Sequence, residues 1–405
     1  MPRRHALIQL GLLTRVPWLA PWPLALPALH ATAAMAGTGT PATPPPRLRP
    51  DEALAFPRDF GAHPAYRTEW WYLTGTLRPQ GAPAQEALCG FQITFFRARV
   101  DAAAASRSAF AARQLVFAHA ALTDLGAGRQ WHDQRIARAG FGLAGAEEGD
   151  THVALRDWTL TRDGPADHGV YRSRVVARDF ALDLRVEQTQ PVLLQGQAGF
   201  SRKGPRPEHA TRYYSQPQLR VSGQMRLAAL SHAPAHASGR APQAGQDLAV
   251  DGTAWLDHEW GETLLDPRVV GWDWIGMNLD DGRALTAFRL RQADGRSLWA
   301  GGSLRAPGQP TRTFGPDDVR LTPLRHWVSP ATQARYPVDW AVDLAVDAAG
   351  TRWSVHALLD AQELDSRAST GHVYWEGLSE LRDAQGRRLG RGYLEMTGYV
   401  QPMKL

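Results

Sequence analysis

One cysteine, Cys89, and two lysines, Lys203 and Lys404, stand among 405 residues. A lone thiol forms no intramolecular disulfide, so packing and sheet hydrogen bonds must hold the fold whatever compartment it occupies. Its setting, Leu88-Cys89-Gly90-Phe91, is that of a buried strand thiol, with no second Cys, His or Asp nearby to activate it. The formal charge is only +5 on 45 basic and 40 acidic residues, and it falls to +2 once Arg3, Arg4 and Arg15 of the amino-terminal leader are set aside. The arginines are spread along the chain without a basic block, which argues against nucleic acid as a partner. Fourteen histidines occur, but none forms H-E-x-x-H or another metal-ligand spacing. The segment Gly199-Phe200-Ser201-Arg202-Lys203-Gly204 misses the nucleophile elbow because its second glycine falls one place late. No glycine-rich phosphate loop precedes a helix. Metal, serine-hydrolase and nucleotide chemistry therefore lack a motif, and no cofactor is implied.

Long apolar runs are missing too: nothing after the amino terminus approaches the roughly 20 residues needed to span a bilayer. Residues 1–36 carry paired arginines, an apolar middle broken by Pro17, Pro21, Pro23 and Pro27, and the small-residue end Ala31-Thr32-Ala33-Ala34-Met35-Ala36. These are the marks of an export signal, with the twin-arginine route open; the competing reading is a disordered extension. A periplasmic or secreted protein without a transmembrane anchor in its mature chain is the expectation. Residues 37–51 read as a proline-rich tether.

What the chain has is tryptophan, 15 residues of it, and short alternating segments between Gly, Pro, Asp and Asn. Phe180-Ala181-Leu182-Asp183-Leu184-Arg185-Val186-Glu187 alternates with period two, and Trp340-Ala341-Val342-Asp343-Leu344 does the same. That is the signature of antiparallel sheet with one buried face. The run Glu69-Trp70-Trp71-Tyr72-Leu73-Thr74-Gly75, with strands following at 91–96 and 117–122, is echoed by Trp272-Asp273-Trp274-Ile275-Gly276-Met277 with strands at 285–290 and 298–303. A duplicated β unit follows. The length suits two domains, expected at 52–262 and 263–405, with Ser231–Gln246 a surface loop and helices few and short.

At Glu69-Trp70-Trp71-Tyr72-Leu73-Thr74-Gly75 the sequence resembles the carotenoid 1,2-hydratase (CrtC-like) and AttH lipocalin-like family. The likeness recurs in order at Tyr213-Tyr214-Ser215-Gln216-Pro217, Trp255-Leu256-Asp257-His258-Glu259-Trp260-Gly261, Trp272-Asp273-Trp274, Tyr374-Trp375-Glu376-Gly377 and Gly392-Tyr393-Leu394-Glu395-Met396-Thr397-Gly398-Tyr399. The resemblance implies an all-β chain of two lipocalin-like antiparallel barrels packed together, with a ligand pocket near their junction. It also implies His258 and Trp260 as catalytic positions, with Asp273 as an acidic partner. One branch of the family hydrates the terminal double bond of acyclic carotenoids; the other resembles exported partners of ABC transport systems.

Hydrating an unactivated alkene needs an acid to protonate carbon, surroundings that tolerate a cation, and a positioned water with a base. Asp257-His258-Glu259-Trp260 is the densest candidate; on a strand Asp257 and Glu259 face one side, His258 and Trp260 the other. The competing reading is an inter-domain hinge whose carboxylates pair with arginines. Trp70, Tyr72, Tyr213, Tyr214, Trp255, Trp272, Trp274 and Trp375 are candidate ligand contacts, each weighed against a plain core or barrel-plug role. Glu376, Glu395 and Tyr399 read as parts of such a plug. The favoured function is an exported protein that holds or hands over an apolar lipid or isoprenoid, beside an ABC transporter membrane component. The alternative is a hydro-lyase adding water to an isoprenoid C=C bond by acid–base catalysis.

Overall fold

The structure, a computed structural model, describes residues 46–82, 88–227, 245–262, 265–346 and 350–403. The leader at 1–36, the first part of the tether and most of the Ser231–Gln246 loop lie outside the described residues. Alternation governs what forms: each strand places one set of side chains in a barrel and the other set outside it. The first sheet comprises β1 (Thr68–Pro79), β2 (Cys89–Arg99), β3 (Gln114–Asp124), β4 (Arg129–Arg138), β5 (Ala144–Ala146), β6 (His152–Leu155), β7 (Trp158–Asp163), β8 (Val170–Val176), β9 (Phe180–Glu187), β10 (Leu193–Leu194), β11 (Phe200–Arg202), β12 (Ala210–Leu227) and β13 (Asp247–Gly261). The second comprises β14 (Val269–Leu279), β15 (Ala284–Gln292), β16 (Ser297–Arg305), β17 (Arg312–Phe314), β18 (Val319–Val328), β19 (Arg335–Leu344), β20 (Thr351–Ala357), β21 (Glu363–Asp365), β22 (Val373–Arg382) and β23 (Arg388–Met396). Two short 3-10 turns, Arg58–Phe60 and Asp101–Ala103, are the helical elements among the described residues, and none of these is long and apolar enough to cross a membrane.

The repeat expected from the sequence is visible in the connectivity. The first sheet runs β4-β3-β2-β1-β13-β12-β9-β8-β7-β6-β5, and the second runs β17-β16-β15-β14-β23-β22-β20-β19-β18. In each, a four-strand meander opens the unit and its last long strand returns to pair with its first. Every named pairing is antiparallel, as between β1 and β13 and between β14 and β23. The first sheet curls into a nearly closed barrel, its far strands drawn back to β4 by the Arg135 bond to the Val176 carbonyl at 2.8 Å and by the Arg135–Asp157 ion pair. The second curls likewise, Arg289 on β15 donating to the Leu321 carbonyl on β18 at 3.3 Å.

Three apolar layers result. Trp71, Phe91, Trp158, Leu184, Leu256 and Trp260 fill the first barrel, and Ile275, Trp340, Val355, Trp375 and Leu394 fill the second. Between the barrels Tyr72, Trp255, Trp274, Phe288, Leu378 and Tyr393 form a third cluster, so the outer faces of β1, β13, β14, β22 and β23 are also buried. Gly90 sets how closely the two sheets approach: a Cβ there would lie 2.7 Å from the Tyr393 hydroxyl and 2.8 Å from the Leu378 Cβ. Cys89 is buried in this fold, and burial pushes its thiol well above the usual range, consistent with an inert strand thiol.

Candidate site between the two barrels

The third layer is incomplete, and the gap is a cavity of about 450 Å³ at the junction. Its walls are aromatic: Trp70, Phe96 and Phe117 from the first sheet face Trp272, Trp274 and Phe288 from the second. Alternation then inserts polar groups between the rings. β13 contributes Asp257 and Glu259, β22 contributes Tyr374 and Glu376, and β23 contributes Glu395. A volume in this range with mostly apolar walls and few convergent polar groups is the usual form of a small-molecule site.

Each acid has a distinct environment. Asp257 accepts from the Tyr213 hydroxyl at 2.7 Å, the Ser215 hydroxyl at 2.5 Å and the Trp255 indole at 2.7 Å. Burial outweighs these three donors and pushes its carboxyl up to about 7. Glu259 instead pairs with Lys203 at 2.9 Å and accepts from Thr211 at 2.5 Å; the Lys203 ammonium also lies over the Tyr213 and Phe288 rings at 4.7 and 4.5 Å. Glu376 and Glu395 stand opposite each other on β22 and β23. Two carboxylates facing each other, Glu376 buried and Glu395 half-buried, cannot both ionise cheaply. Burial and the charge of Glu395 hold Glu376 well above the carboxyl range, while burial pushes Glu395 to about 8 against the opposing hydrogen bond of Trp272. The Glu376–Glu395 pair thus favours retaining a proton.

The remaining sequence-predicted residues divide by strand parity. Trp70, Tyr72, Tyr213, Trp272 and Trp274 line the cavity with Asp257 and Glu259. Trp255 packs in the same layer and serves Asp257 as a donor. His258, Trp260 and Tyr214 point the other way, into the first barrel. There His258 stacks on Trp71 with ring centroids 4.5 Å apart, and Trp260 stacks on His63 at 3.7 Å. Trp375 lies in the core of the second barrel and donates to the Asp360 carbonyl at 2.7 Å. Asp273 is also inside that barrel, bound by Arg289 at 2.7 Å, Arg291 at 3.2 Å and the Tyr399 hydroxyl at 2.8 Å. The sequence reading of His258, Trp260 and Asp273 as one constellation is therefore not the arrangement found: they occupy two barrel interiors, outside the junction cavity.

His63, Glu69 and His258 bring their ligand atoms within 4.8 Å of one another, a cluster that no spacing motif signals. Glu69 accepts from His63 at 2.8 Å and His258 at 2.9 Å on one oxygen and from Arg97 at 2.7 Å on the other. His63 reaches Asp59 at 3.2 Å with its second nitrogen. Burial lowers the His63 imidazole, but its hydrogen bonds to Asp59 and Glu69 outweigh that and raise it above its ordinary value. His258, which meets the Tyr214 hydroxyl at 3.0 Å, is pushed down to about 4 by burial and stays neutral at physiological pH. Both imidazoles engage Glu69 as proton donors, not with the lone pairs a metal would need. The network ties the 58–69 segment into the barrel.

Sequence reasoning also missed Glu376, Glu395, Lys203, His119 and Tyr374 as cavity residues. The parity of Tyr374-Trp375-Glu376 placed Tyr374 and Glu376 on one face and Trp375 on the other, but nothing in the sequence says which face meets the neighbouring barrel.

The profile of the AttH-like family matches residues 47–399. The crystal structure of an AttH-type protein (NE1406) from Nitrosomonas europaea is similar at 47% identity and a TM-score of 0.75, covering 87% of this chain and 99% of that one. Kievitone hydratase from Nectria haematococca is similar in fold, with 14% identity, a TM-score of 0.61 and coverage of 88% and 98%. Among curated proteins no sequence matches this chain.

Proposed function

The chain belongs to the AttH-like family, and from that premise we propose that it is a hydro-lyase, adding water to or removing it from a C=C bond of an apolar small molecule held between its barrels. The observation that carries this reading is the set of carboxyl groups, buried at Asp257 and Glu376 and half-buried at Glu395, in an aromatic-walled cavity. A proton held by the Glu376–Glu395 pair is available for transfer, and a carboxyl titrating near 7 at Asp257 suits a group that takes and returns a proton. Glu259, paired with Lys203, stands beside the site, and the rings of Trp70, Trp272 and Trp274 supply an apolar wall for the ligand. The hydratase name of the Nectria relative agrees with this chemistry, although that likeness is one of fold.

The test is incubation in ¹⁸O-labelled water with an acyclic C40 isoprenoid, a prenylated phenol and an isoprenoid enone, read by mass spectrometry. Incorporation of one labelled oxygen by the unmodified protein, reduced at least about 100-fold in Asp257→Asn, is expected for a lost acid–base group. Saturable binding of a panel member without incorporation of label would contradict the hydro-lyase reading and favour the holding and hand-over role. Export and an ABC transporter partner belong to that second reading; fractionation of the tagged chain and co-purification with a permease test them.

A further inference from the structure

Most polar atoms of the junction cavity have partners, and the exceptions point at a ligand. His119 meets Ser369 at 2.8 Å and Tyr374 at 2.7 Å. The Ser369 hydroxyl donates to the Gln134 side chain at 2.6 Å, so it accepts from His119, leaving the other imidazole nitrogen to accept the Tyr374 proton. Tyr374 therefore has no proton to offer the cavity. Tyr72 does: its hydroxyl lies close enough to the Glu376 carboxyl for a weak mutual interaction, yet neither the Tyr72 oxygen nor Glu376 Oε1 forms a well-aligned hydrogen bond. Both residues are more than nine-tenths buried and line the cavity. Buried polar atoms are costly to leave unmet, and two of them side by side in the cavity wall form a receptor for one oxygen atom.

We propose that the cavity takes an apolar molecule whose C=C bond is conjugated to a carbonyl group, and that the Tyr72 hydroxyl and the Glu376 carboxyl together hold the carbonyl oxygen. The inference rests on the hydro-lyase reading above and names its substrate class. Burial and the facing Glu395 favour the protonated form of Glu376, so that it donates as a neutral acid in a site of low polarity, where a phenol and a carboxylic acid stabilise an enolate strongly. In the hydration direction the water oxygen bonds to the carbon β to the carbonyl while one of its protons passes to the Asp257 carboxylate. The C=C electron pair shifts toward the carbonyl carbon, and the carbonyl π pair moves onto the oxygen held by Tyr72 and Glu376. Return of the proton from Asp257 to the α carbon restores the C=O bond and completes the addition of one water, with no change of redox state.

Equilibrium binding of 2-naphthol, an enolate-like probe, against naphthalene tests the receptor without turnover. At pH 7, Tyr72→Phe and Glu376→Leu should each weaken 2-naphthol about tenfold, the worth of one strong hydrogen bond, and leave naphthalene unchanged. Glu376→Gln, which keeps an N–H donor and nearly the same shape, should recover most of the 2-naphthol affinity. Parallel losses for both probes, or none for either, would overturn the oxygen receptor while leaving the apolar site intact. Failure of both probes to bind the unmodified protein would overturn the receptor together with the reading on which it rests.

Discussion

Glu69 shows how a single residue can be conspicuous in the sequence and yet serve the fold. Its neighbours Trp70 and Trp71 mark it, but its carboxylate is spent on His63, His258 and Arg97, which bind both of its oxygens into the fold. Its role predicts the cost of losing it. Glu69→Ala strands the buried Arg97 guanidinium and should lower unfolding free energy by about 3–5 kcal/mol, measured by chemical denaturation. The cavity acids predict a pH dependence of the opposite kind. Asp257 is raised from 3.8 to about 7 and Glu395 from 4.5 to about 8, so each binds its proton more tightly folded than unfolded. Their contribution to stability is complete below about pH 4 and is lost as pH rises through 7 to 8. Glu69 is held below its ordinary value because the hydrogen bonds of His258 and His63 outweigh burial, so its contribution is present above about pH 4.5 and is lost in acid. Melting temperature should therefore peak in mildly acidic buffer, and Glu395→Gln should flatten the decline toward pH 8 without altering the acid limb.

At the scale of elements, the two sheets repeat one another in register as well as in order. Glu69 faces Arg97 across β1 and β2, and Asp273 faces Arg289 across β14 and β15. Trp70 faces Glu259 across β1 and β13, and Trp274 faces Glu395 across β14 and β23. The cavity lies between these matching faces. Alternation made the strands and the split of Asp257 and Glu259 from His258 and Trp260 legible, because period two follows from the backbone alone. It could not say which face bounds the site, since β13 is buried on both sides from Ala254 to Gly261. The same ambiguity misplaced Trp375 and Asp273, whose types suit a pocket but whose parity puts them in a barrel core. The Glu376–Glu395 pair needed the β22–β23 register, which no local pattern encodes. On its other side β23 depends on glycine for its close approach to β14: a Cβ on Gly392 would lie 1.9 Å from the Gly276 carbonyl oxygen. Gly392→Val should part β14 from β23 and cost about 3 kcal/mol, whereas Gly145→Ala, with no atom within 4 Å of the new Cβ, should leave thermal unfolding unchanged.

For the whole molecule, two barrels whose interiors are filled by tryptophan and ion pairs leave the space between them as the place for a ligand. The barrel interiors read as structure: Asp273 and Glu69 are bound on both oxygens. The junction keeps unmet donors, raised carboxyls and open volume, the combination expected where binding and proton transfer occur. The most direct test of this division is crystallographic location of 4-iodophenol soaked into crystals of the protein, using the anomalous signal of iodine. The account predicts an iodine peak between Trp70, Trp272 and Trp274 with the phenol oxygen at Tyr72 and Glu376; a peak inside either barrel, or an unoccupied junction in crystals that bind the probe elsewhere, would contradict it.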